Sequence, residues 1–537
     1  MANEALKTVT TRKSVTATPQ TEKAAKGQKK NHAGGYAFVI GDFERIKRFL
    51  IMGSESSFYQ SGAKLALENA KTIQKVAQSG DAEQVRALFD LIEEISVGGR
   101  AAKQQPALFA LALAIASTPD RHLKSYGYSK VASVARTAST LFQFAGYLNQ
   151  FQRFGMGARK AISRWYEGRD LDALAYQLVK YQAREGWSND DLISLSHPTR
   201  SKEDPEFSRL IDWTLGKAKD IEALPKIVQG FERAKGAESD KIPSLIREYG
   251  LSWEMVPSEA LNRRETWEAL LDTKGALPLG ALIRNLPKLT RTRVIQELGG
   301  RTQEIVDRLT DQDALVKARI HPLNLLVALK TYAEGEGRGG RDFTPVRRIV
   351  DALDTAFYKA FKAVEPTSKR WFLALDVSGS MGWGNISGMP ITPREASAAL
   401  SLVTAATEKE SYIAGFSHTM VPIDISANMT LDEVQRRISR IPMGGTDCAL
   451  PMLHALEKGI KADVFVIYTD SETWAGRVHP HEALERYRKA TGINAKLIVV
   501  GMTATRFSIA NPNDPGMLDI AGFDTAAPGL MAEFVKD

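Results

Sequence analysis

The sequence predicts a multidomain chain in which an all-α region of helical repeats precedes a doubly wound α/β domain. Three observations lead to this prediction. Apolar residues recur at spacings of three and four from residue 42 to about 364, as they do in amphipathic helices. From residue 366 onward, short continuous apolar runs alternate with helical segments, which is typical of a parallel sheet covered on both faces. The first 35 residues are polar, rich in lysine and almost free of large apolar side chains.

The composition excludes several classes of protein. Of the 537 residues, 43% are hydrophobic and 25% are charged, with 41 Gly and 22 Pro. These values are ordinary for globular proteins, so collagen-like, coiled-coil and wholly disordered chains are excluded. At roughly 150 residues per domain, the length predicts three or four domains, or two large ones. The one cysteine, Cys448, excludes an internal disulfide framework and a cysteine-clustered zinc site.

Nothing in the sequence suggests insertion into a membrane. The most apolar stretch, residues 106–116, is shorter than the roughly 20 residues that a membrane-spanning helix needs. The amino terminus has no apolar core after its first lysines, which a secretory signal would have. We therefore expect a cytoplasmic protein that is neither secreted nor bound to a membrane.

Charge is distributed unevenly between the two predicted parts. The chain has 71 basic and 63 acidic residues, a formal net charge of +8. Residues 366–537 contain 16 basic and 19 acidic residues, so the rest of the chain carries a net charge of +11. This asymmetry favours a polyanionic partner for the first part, although unevenly scattered solubilising charge would give the same numbers. An acidic membrane surface is a weaker candidate because no basic amphipathic anchor stands out.

The predicted elements follow from these patterns. Residues 1–35 cannot bury enough apolar surface to offset chain entropy, so we expect a disordered basic arm there. Residues 36–365 form the helical region, with amphipathic segments at 63–78, 82–95, 106–116 and 171–181. Many short helices without strand signals indicate stacked helical pairs of the solenoid type. No strict repeat period is visible, so the pattern alone identifies no particular repeat family.

Residues 366–537 form the predicted α/β domain. Its apolar runs predict strands at 371–375, 412–416, 464–468 and 497–500. Helical segments lie between them, at 393–408, 431–441, 449–458 and 480–490. In a doubly wound fold, ligands bind at the carboxyl ends of the strands.

Hard oxygen ligands are predicted at this edge of the sheet. Asp376, Ser378 and Ser380 follow the first strand, Thr446 lies on a glycine loop before a helix, and Asp470 follows the strand at 464–468. Such oxygens suit Mg²⁺, although Asp and Ser in one loop are also common in ordinary turns. Cys448, close to Thr446, resembles a reactive or metal-binding thiol, but a small buried side chain is the favoured interpretation.

These five residues resemble the metal-ion-dependent adhesion site of von Willebrand factor A-like domains. The resemblance implies that Asp376, Ser378, Ser380, Thr446 and Asp470 hold one magnesium ion, directly or through water. It also implies that the carboxylate of a partner can complete the coordination shell. Asp447 and Glu472 lie outside this motif and are expected next to the ligands.

The helical region contains a candidate face for contact with phosphates. On a helical projection that starts at Leu171, Lys180 and Arg184 fall opposite the apolar stripe, as an i, i+4 pair. Two adjacent cations on a solvent face repel each other, so a phosphate backbone would suit them, although a merely solvated face is the commoner explanation. Ser188–Asp191 reads as a capping box for a helix that ends near His197, where a histidine is more often structural than functional.

The amino-acid sequence of residues 180–197 identifies a family more specifically than their charge does. Residues 180–188, KYQAREGWS, and 191–197, DLISLSH, closely resemble the Ro ribonucleoprotein family, which carries the TROVE module. Further agreement comes from RFL at 48–50, GSE at 53–55, GR at 99–100, KQ at 103–104 with Pro106, LIRNL at 282–286 and RIHP at 319–322. The resemblance extends from about residue 35 to the carboxyl end and leaves the basic arm outside.

The resemblance implies a ring of HEAT-like helical repeats that is closed by the A-like domain. Members of the family bind small noncoding Y RNA on the outer basic surface and take single-stranded 3′ ends of misfolded structured RNA through the central hole. Positions matching Lys180, Arg184 and His197 contact Y RNA in the family. Further basic candidates in this chain are Arg100, Lys103, Arg159 and Lys160. An exoribonuclease is an expected indirect partner, and we expect a monomer.

We therefore interpret the chain as an RNA-binding scaffold and not an enzyme. No nucleophile–base arrangement, phosphate-cradling loop or paired acid–base motif is visible in the sequence. One alternative is a protein-binding adaptor whose metal site captures an acidic partner. Another is a magnesium-dependent hydrolase or nuclease that uses Asp376 and Asp470, although the further carboxylates of a two-metal site are missing.

Overall fold

The computed structural model describes residues 17–54, 61–184, 186–199, 204–218, 220–337, 340–341, 343–361, 365–386, 389–421, 423, 425–426, 429–438, 440–441 and 444–536. The first 16 residues of the predicted arm, and Glu55 and Glu185 of the family-like segments, lie outside these ranges. The described residues form two compact units. One is built from residues within Met1–Arg48, Met52–Ala66 and Val364–Asp537, and the other from Phe49–Ile51 and Leu67–Ala363.

The amino-terminal segment belongs to the α/β unit. Its strands β1 (Gln28–Lys30) and β2 (Tyr36–Val39) pair antiparallel, and β2 also pairs with Phe507–Ser508 of the α/β domain. Helix α1 (Asp42–Met52) follows. The prediction of a disordered arm over residues 1–35 is therefore wrong for residues 17–35, and residues 36–48 also lie in the α/β unit. Polar side chains order this segment, since Gln20, Gln28 and Asn31 are buried and hydrogen-bonded.

Helices dominate the region that follows. In chain order they are α2 (Gly62–Ala77), α3 (Ala82–Val97), α4 (Gln105–Ser117), α5 (Arg121–Ser129), α6 (Val131–Val134), α7 (Ala138–Phe151), α8 (Met156–Glu167), α9 (Leu171–Lys180), α10 (Asn189–Ser196), α11 (Pro205–Thr214), α12 (Lys226–Lys235), α13 (Ile242–Tyr249), α14 (Arg264–Asp272), α15 (Leu279–Arg291), α16 (Gly300–Thr310), α17 (Gln312–Lys317), α18 (Pro322–Ala333) and α19 (Arg347–Lys359). Two short hairpins interrupt them: β3 (Ala183–Arg184) with β4 (Trp187–Ser188), and β5 (Glu336–Gly337) with β6 (Gly340–Arg341).

Apolar stripes and caps explain these helices. On α9, Leu174, Ala175 and Leu178 are buried, while the Asp170 carboxylate caps the first turn by accepting the Ala173 N–H at 2.8 Å. Helix α4 is apolar on nearly every face and packs against α3, α5 and α7, so it is a core helix. Among the described residues, none of the helices is long and apolar enough to cross a membrane.

The α/β domain contains β7 (Arg370–Asp376), α20 (Pro393–Thr407), β8 (Glu410–Phe416), β9 (Met420–Val421), α21 (Leu431–Ile438), α22 (Leu450–Lys458), β10 (Val464–Thr469), α23 (Pro480–Thr491), β11 (Lys496–Gly501), β12 (Phe507–Ser508), β13 (Met517–Ala521) and α24 (Ala527–Lys536). Six of the strands form one sheet in the order β13-β11-β10-β7-β8-β9. All neighbours in it are parallel except β8 and β9. A helical region joined to a doubly wound α/β domain is confirmed.

Candidate functional site

The first loop of the candidate metal centre is fixed by its own hydrogen bonds. Asp376 ends β7 and is fully buried. Its Oδ1 accepts the N–H of Ser378 at 2.9 Å, and its Oδ2 accepts the hydroxyl of Thr469 at 2.6 Å. The hydroxyl oxygens of Ser378 and Ser380 lie 3.2 Å apart. Three hard oxygen donors therefore share one buried loop at the carboxyl end of a strand.

Two further loops join the first one. The backbone N–H of Gly379 donates to the carbonyl of Gly444 at 3.1 Å, which ties the first loop to the glycine loop that carries buried Thr446. The Thr446 carbonyl in turn accepts the N–H of Trp474 at 3.0 Å, in the loop after β10. Asp470 of that loop is buried and is hydrogen-bonded by the Ser380 hydroxyl. The structure thus brings the loops of all five predicted ligands together.

Two buried carboxylates, Asp376 and Asp470, dominate the electrostatics of the site. Burial, followed by the charges of Asp376 and Glu472, raises the pKa of Asp470 to about 8. Burial also raises the pKa of Asp376, although hydrogen bonds from Ser378 and Thr469 act in the opposite direction. A small divalent cation would compensate both carboxylates, and the donor set of carboxylates and hydroxyls fits such an ion. No three His, Cys, Asp or Glu side chains cluster as a metal site among the described residues, so a cation here depends on the hydroxyls as well.

A buried arginine supports the first loop from α20. One guanidinium nitrogen of Arg394 donates to the carbonyls of Val377 and Ser378, at 2.9 and 3.1 Å. Burial lowers the pKa of Arg394, while the Asp376 charge opposes that shift. Because these hydrogen bonds go to backbone carbonyls, Arg394 orients the first loop. The hydroxyl oxygens of Ser378 and Ser380 stay available to a metal ion.

The amino-terminal segment forms hydrogen bonds with Asp447 and Glu472, the acidic residues that flank the motif. The Asp447 carboxylate accepts the Gln20 amide at 2.7 Å. The Glu472 carboxylate accepts the backbone N–H groups of His32 and Ala33, at 2.7 and 3.0 Å. The carboxylates of Asp447 and Glu472 therefore bind the amino-terminal segment by hydrogen bonds. These contacts could not be predicted from the sequence because the partners lie more than 400 residues apart in the chain. Cys448 is buried, and burial raises the pKa of its thiol well above the usual range.

Replacing Gln20 with alanine is expected to destabilise the α/β unit by about 3 kcal/mol, because buried partners would be left without hydrogen bonds. Gln20 is fully buried, and its side-chain amide donates to Asp447 and to the Val478 carbonyl, at 2.7 and 2.8 Å. Urea unfolding of the full chain measures the change. The exposed neighbour Thr21 provides the control, and Thr21→Ala is expected to be neutral. Equal stability of Gln20→Ala and Thr21→Ala would contradict this role of the segment.

The candidate RNA-contact residues Lys180 and Arg184 lie on different elements. Helix α9 ends at Lys180, and Arg184 lies in the β3–β4 hairpin, whose turn includes Gly186 in the left-handed region at φ 75°. The Asn189 side chain also holds the Tyr181 carbonyl at 2.7 Å, beyond the end of the helix. The predicted i, i+4 pair on one helical face is therefore wrong, because the chain turns into a hairpin after residue 180.

Lys180 is not a solvated cation. Its side chain is only 11% exposed, and its Nζ lies 3.4 Å from a Glu254 carboxylate oxygen. The same Nζ donates to the Tyr176 hydroxyl at 3.2 Å. Burial alone would lower the pKa of Lys180, but Tyr176, Tyr181 and Glu254 outweigh it and raise the pKa. Lys180 is thus a largely buried cation whose charge is favoured by its neighbours and partly compensated by Glu254.

Lys180 and Arg184 nevertheless meet in one cleft of about 750 Å³ within the helical unit. Three further cations line it from α15, and Glu254 is the one acid among its described lining residues. We call this site the basic cleft and define it by its five cations: Lys180, Arg184, Arg284, Lys288 and Arg291. Residues 282–286 carry a family likeness and only one of the three α15 cations, and the spacing of Arg284, Lys288 and Arg291 on α15 is the sequence signal that could have identified all three.

The other five predicted RNA-contact residues lie outside the described lining of the basic cleft. His197 is exposed and forms the left-handed C-cap of α10, with φ 49°. At the other end of α10, the predicted capping box between Ser188 and Asp191 is present. The remaining four are Arg159 and Lys160, exposed on α8, Arg100, which pairs with Glu94, and the half-buried Lys103.

Comparison with known proteins gives consistent results for both parts of the chain. A family model described as the TROVE domain matches residues 29–242 and 247–345, and one described as the Ro60 vWA domain matches residues 370–535. The RNA-binding protein RO60 of Deinococcus radiodurans is 38% identical over 525 residues, which cover 96% of this chain and 97% of that protein. The protein of the same name from Caenorhabditis elegans is 36% identical over an alignment that covers 96% of this chain and 91% of that protein. The crystal structure of the Deinococcus radiodurans RO (RSR) protein matches with a TM-score of 0.68 at 36% identity, over 92% of this chain and 99% of that one.

Proposed function

The chain belongs to the Ro60 family, defined by the TROVE and Ro60 vWA domains, and from this premise we propose that it is an RNA-binding scaffold and not an enzyme. The observation that carries the proposal is the basic cleft. Among the lining residues that the structure describes, five cations face one acid, which is the charge pattern of a site for a phosphate backbone. The relatives named RNA-binding proteins support the same class of ligand.

The RNA in this proposal is a small structured noncoding RNA of the Y RNA class. The family resemblance at Lys180, Arg184 and His197 supports it. Crosslinking RNA to the purified protein and sequencing it tests the class directly. Enrichment of small structured RNAs is expected, and recovery of messenger fragments at their cellular abundance would contradict the proposal. The proposed setting is a monomer in the cytoplasm that acts in RNA quality control, maturation or decay, with an exoribonuclease as an indirect partner.

A second ligand is the single-stranded 3′ end of a misfolded structured RNA. We propose, from the family resemblance, that the helical repeats and the A-like domain close a ring whose hole admits one strand but no duplex. An RNA with a single-stranded 3′ tail is then expected to bind more tightly than the same RNA with a blunt end, and its tail should be protected from chemical probing. Equal affinity for the tailed and blunt RNAs would argue for an open arc and against closure as the selecting device.

The A-like domain is proposed to hold one Mg²⁺ through Asp376, Ser378, Ser380, Thr446 and Asp470. When bound, the ion would supply a coordination position for the carboxylate of a protein partner. This donor set is the observation that favours a second candidate function, a metal-dependent adaptor. A hydrolase using the same residues is the least supported alternative. Incubation of labelled RNA with the protein and Mg²⁺ is expected to leave the RNA intact, and specific cleavage would establish the hydrolase.

A further inference from the structure

Strand β13 forms one edge of the main sheet of the α/β unit. It is the first strand in the sheet order, and β11 is its neighbour. At one end of this pairing the Leu497 N–H donates to the Gly516 carbonyl at 2.9 Å, and at the other end the Gly522 N–H donates to the Gly501 carbonyl at 2.8 Å. These two hydrogen bonds fix which residues of β13 direct their backbone groups to β11.

The outer edge of β13 carries backbone groups that can pair with a further strand. In a parallel pairing, residues at alternate positions direct both their N–H and their C=O to the same neighbour. Leu518 and Ile520 are therefore the residues that bond to β11, and the N–H and C=O of Asp519 point away from it. Within the part of the chain that the structure describes, neither backbone group of Asp519 has a hydrogen-bond partner. Such an unpaired edge is a template for another strand.

A cavity of about 520 Å³ lies at this edge, and we call it the β13 groove. Among the residues that line and define it are Met517 and Asp519, whose side chains point to one face of β13. Leu518 and Ile520, which point to the opposite face, line it as well. A cavity that touches both faces of a strand lies at the edge of that strand. Its volume is within the range of about 300–1,000 Å³ that encloses ligands.

The other walls of the β13 groove are apolar and held in place. Val39 and Ile40, at the end of β2, are half-buried and line one side, and Leu530 and Phe534 of α24 are half-buried and line another. The Lys496 Nζ donates to the Phe534 carbonyl at 2.6 Å and lies 4.8 Å from the centre of the Phe534 ring. Apolar surface that is left half-exposed on an ordered wall favours apolar side chains in the groove.

The charge that remains at the β13 groove is negative. The Asp519 carboxylate is paired, since one guanidinium nitrogen of Arg48 donates to both of its oxygens at 2.5 Å. Glu44 lies 3.8 Å from the Lys47 Nζ. Glu533 is exposed on α24, lines the groove and has no ion pair among the described residues. An occupant with a basic side chain beside Glu533 therefore complements the groove.

We infer that the β13 groove binds an extended peptide segment of a partner protein, which adds to the sheet as a further strand. The peptide backbone exchanges hydrogen bonds with the N–H and C=O of Asp519, its apolar side chains enter the groove, and a Lys or Arg side chain faces Glu533. The inference goes beyond the proposed RNA binding and does not depend on it, because all described lining residues belong to the α/β unit.

Selection of a phage-displayed peptide library on the full chain tests the inference. The library holds random peptides of about ten residues, the length of a long strand. We expect the enriched peptides to alternate apolar with polar side chains and to contain Lys or Arg. Leu530→Lys, which puts a charge on the apolar wall, is expected to weaken their binding by more than about tenfold. Leu298→Lys changes a leucine that is 98% exposed and lies outside the groove, so it should leave the affinity unchanged.

A second pair of variants tests the charge of the occupant. Glu533→Lys reverses the charge beside the groove and is expected to weaken binding of the selected basic peptides by about threefold to tenfold. The loss should shrink at high salt, because an exposed charge pair is screened. Glu457→Lys makes the same reversal at an exposed position of α22 outside the groove and should leave the affinity unchanged.

Methylation of the peptide backbone tests the strand pairing itself. Two versions of the tightest selected peptide carry N-methyl groups, one at its even positions and the other at its odd positions. Because only alternate residues of an added strand direct their N–H to β13, one version is expected to lose more than about tenfold in affinity and the other less than about threefold. A ligand that is held by its side chains alone shows no such difference.

Circular dichroism establishes that each variant is folded before its affinity is compared. The inference is overturned if no enriched peptide binds folded Leu530→Lys or Glu533→Lys more weakly than the wild type, since the peptides then bind elsewhere. Equal losses for the two methylated peptides overturn it too, since no strand then pairs with β13. RNA binding is measured separately, so failure of the proposed function is distinguishable from failure of this inference.

Discussion

Replacing Lys180 and Arg184 together with alanine is expected to weaken binding of a structured small RNA by more than tenfold, that is by more than about 1.4 kcal/mol. Both side chains line the basic cleft, where Lys180 keeps its charge and Arg184 is exposed. Each lost phosphate contact also removes about one released counterion. The slope of log affinity against log salt should therefore become shallower by about one to two.

The Glu254 carboxylate provides a sharper control for this prediction. In Lys180→Ala the acid would face the bound phosphates without its partner, because Lys180 Nζ lies 3.4 Å from it. Adding Glu254→Gln to Lys180→Ala is expected to recover part of the lost affinity, whereas adding it to Arg184→Ala should recover less. A folded Lys180/Arg184 double variant that binds RNA as tightly as the wild type would refute the cleft as the contact surface.

The sequence could predict what depends on local pattern. Four apolar runs correctly predicted β7, β8, β10 and β11. Strands β7, β10 and β11 are continuously apolar because they are buried on both faces, whereas only the second half of β8 is buried. The two-residue β9 and the edge strand β13, which includes Asp519, do not stand out in this way. The loops of Asp376 and Asp470 could be placed together because the parallel strands β7 and β10 end at one edge of the sheet. The loop of Thr446 lies between α21 and α22 and follows no strand, so its place could be inferred only from the family resemblance.

Longer-range contacts could not be predicted from local pattern. The segment with Gln20 and His32 looks disordered in isolation because its stabilising partners are polar groups of the α/β domain, not an apolar core of its own. Lys180 and Arg184 lie on one face in a helical projection, but the helix ends at Lys180. The chain then forms the hairpin that contains Arg184 and turns at Gly186. Arg284 and Arg291 were not selected because nothing local connects α15 with the end of α9.

Replacing Asp376 is expected to abolish binding of Mg²⁺ while leaving RNA binding within about threefold of the wild type. Asp376 is one of two buried carboxylates at the proposed metal site, and its neighbours Ser378 and Ser380 offer only neutral hydroxyls. Mg²⁺ gives up its hydration water reluctantly, so a site that loses one of its two carboxylate charges and keeps mostly neutral donors should compete poorly with water. The cations of the basic cleft belong to the other compact unit, so they should keep their own ligand.

The choice of substitution decides what this experiment means. Asp376→Ala removes the acceptor for both the Ser378 N–H and the Thr469 hydroxyl, so loss of metal could follow from a disordered loop. Asp376→Asn retains an acceptor for the Ser378 N–H and nearly the same volume while it removes the charge. We expect isothermal titration of the full chain with Mg²⁺ to show no binding heat for either variant, with unchanged circular dichroism for Asp376→Asn. If Asp376→Asn keeps its metal, the carboxylate is not a ligand. If it loses the metal and RNA binding also collapses in a folded protein, the two sites are coupled and do not act independently as proposed.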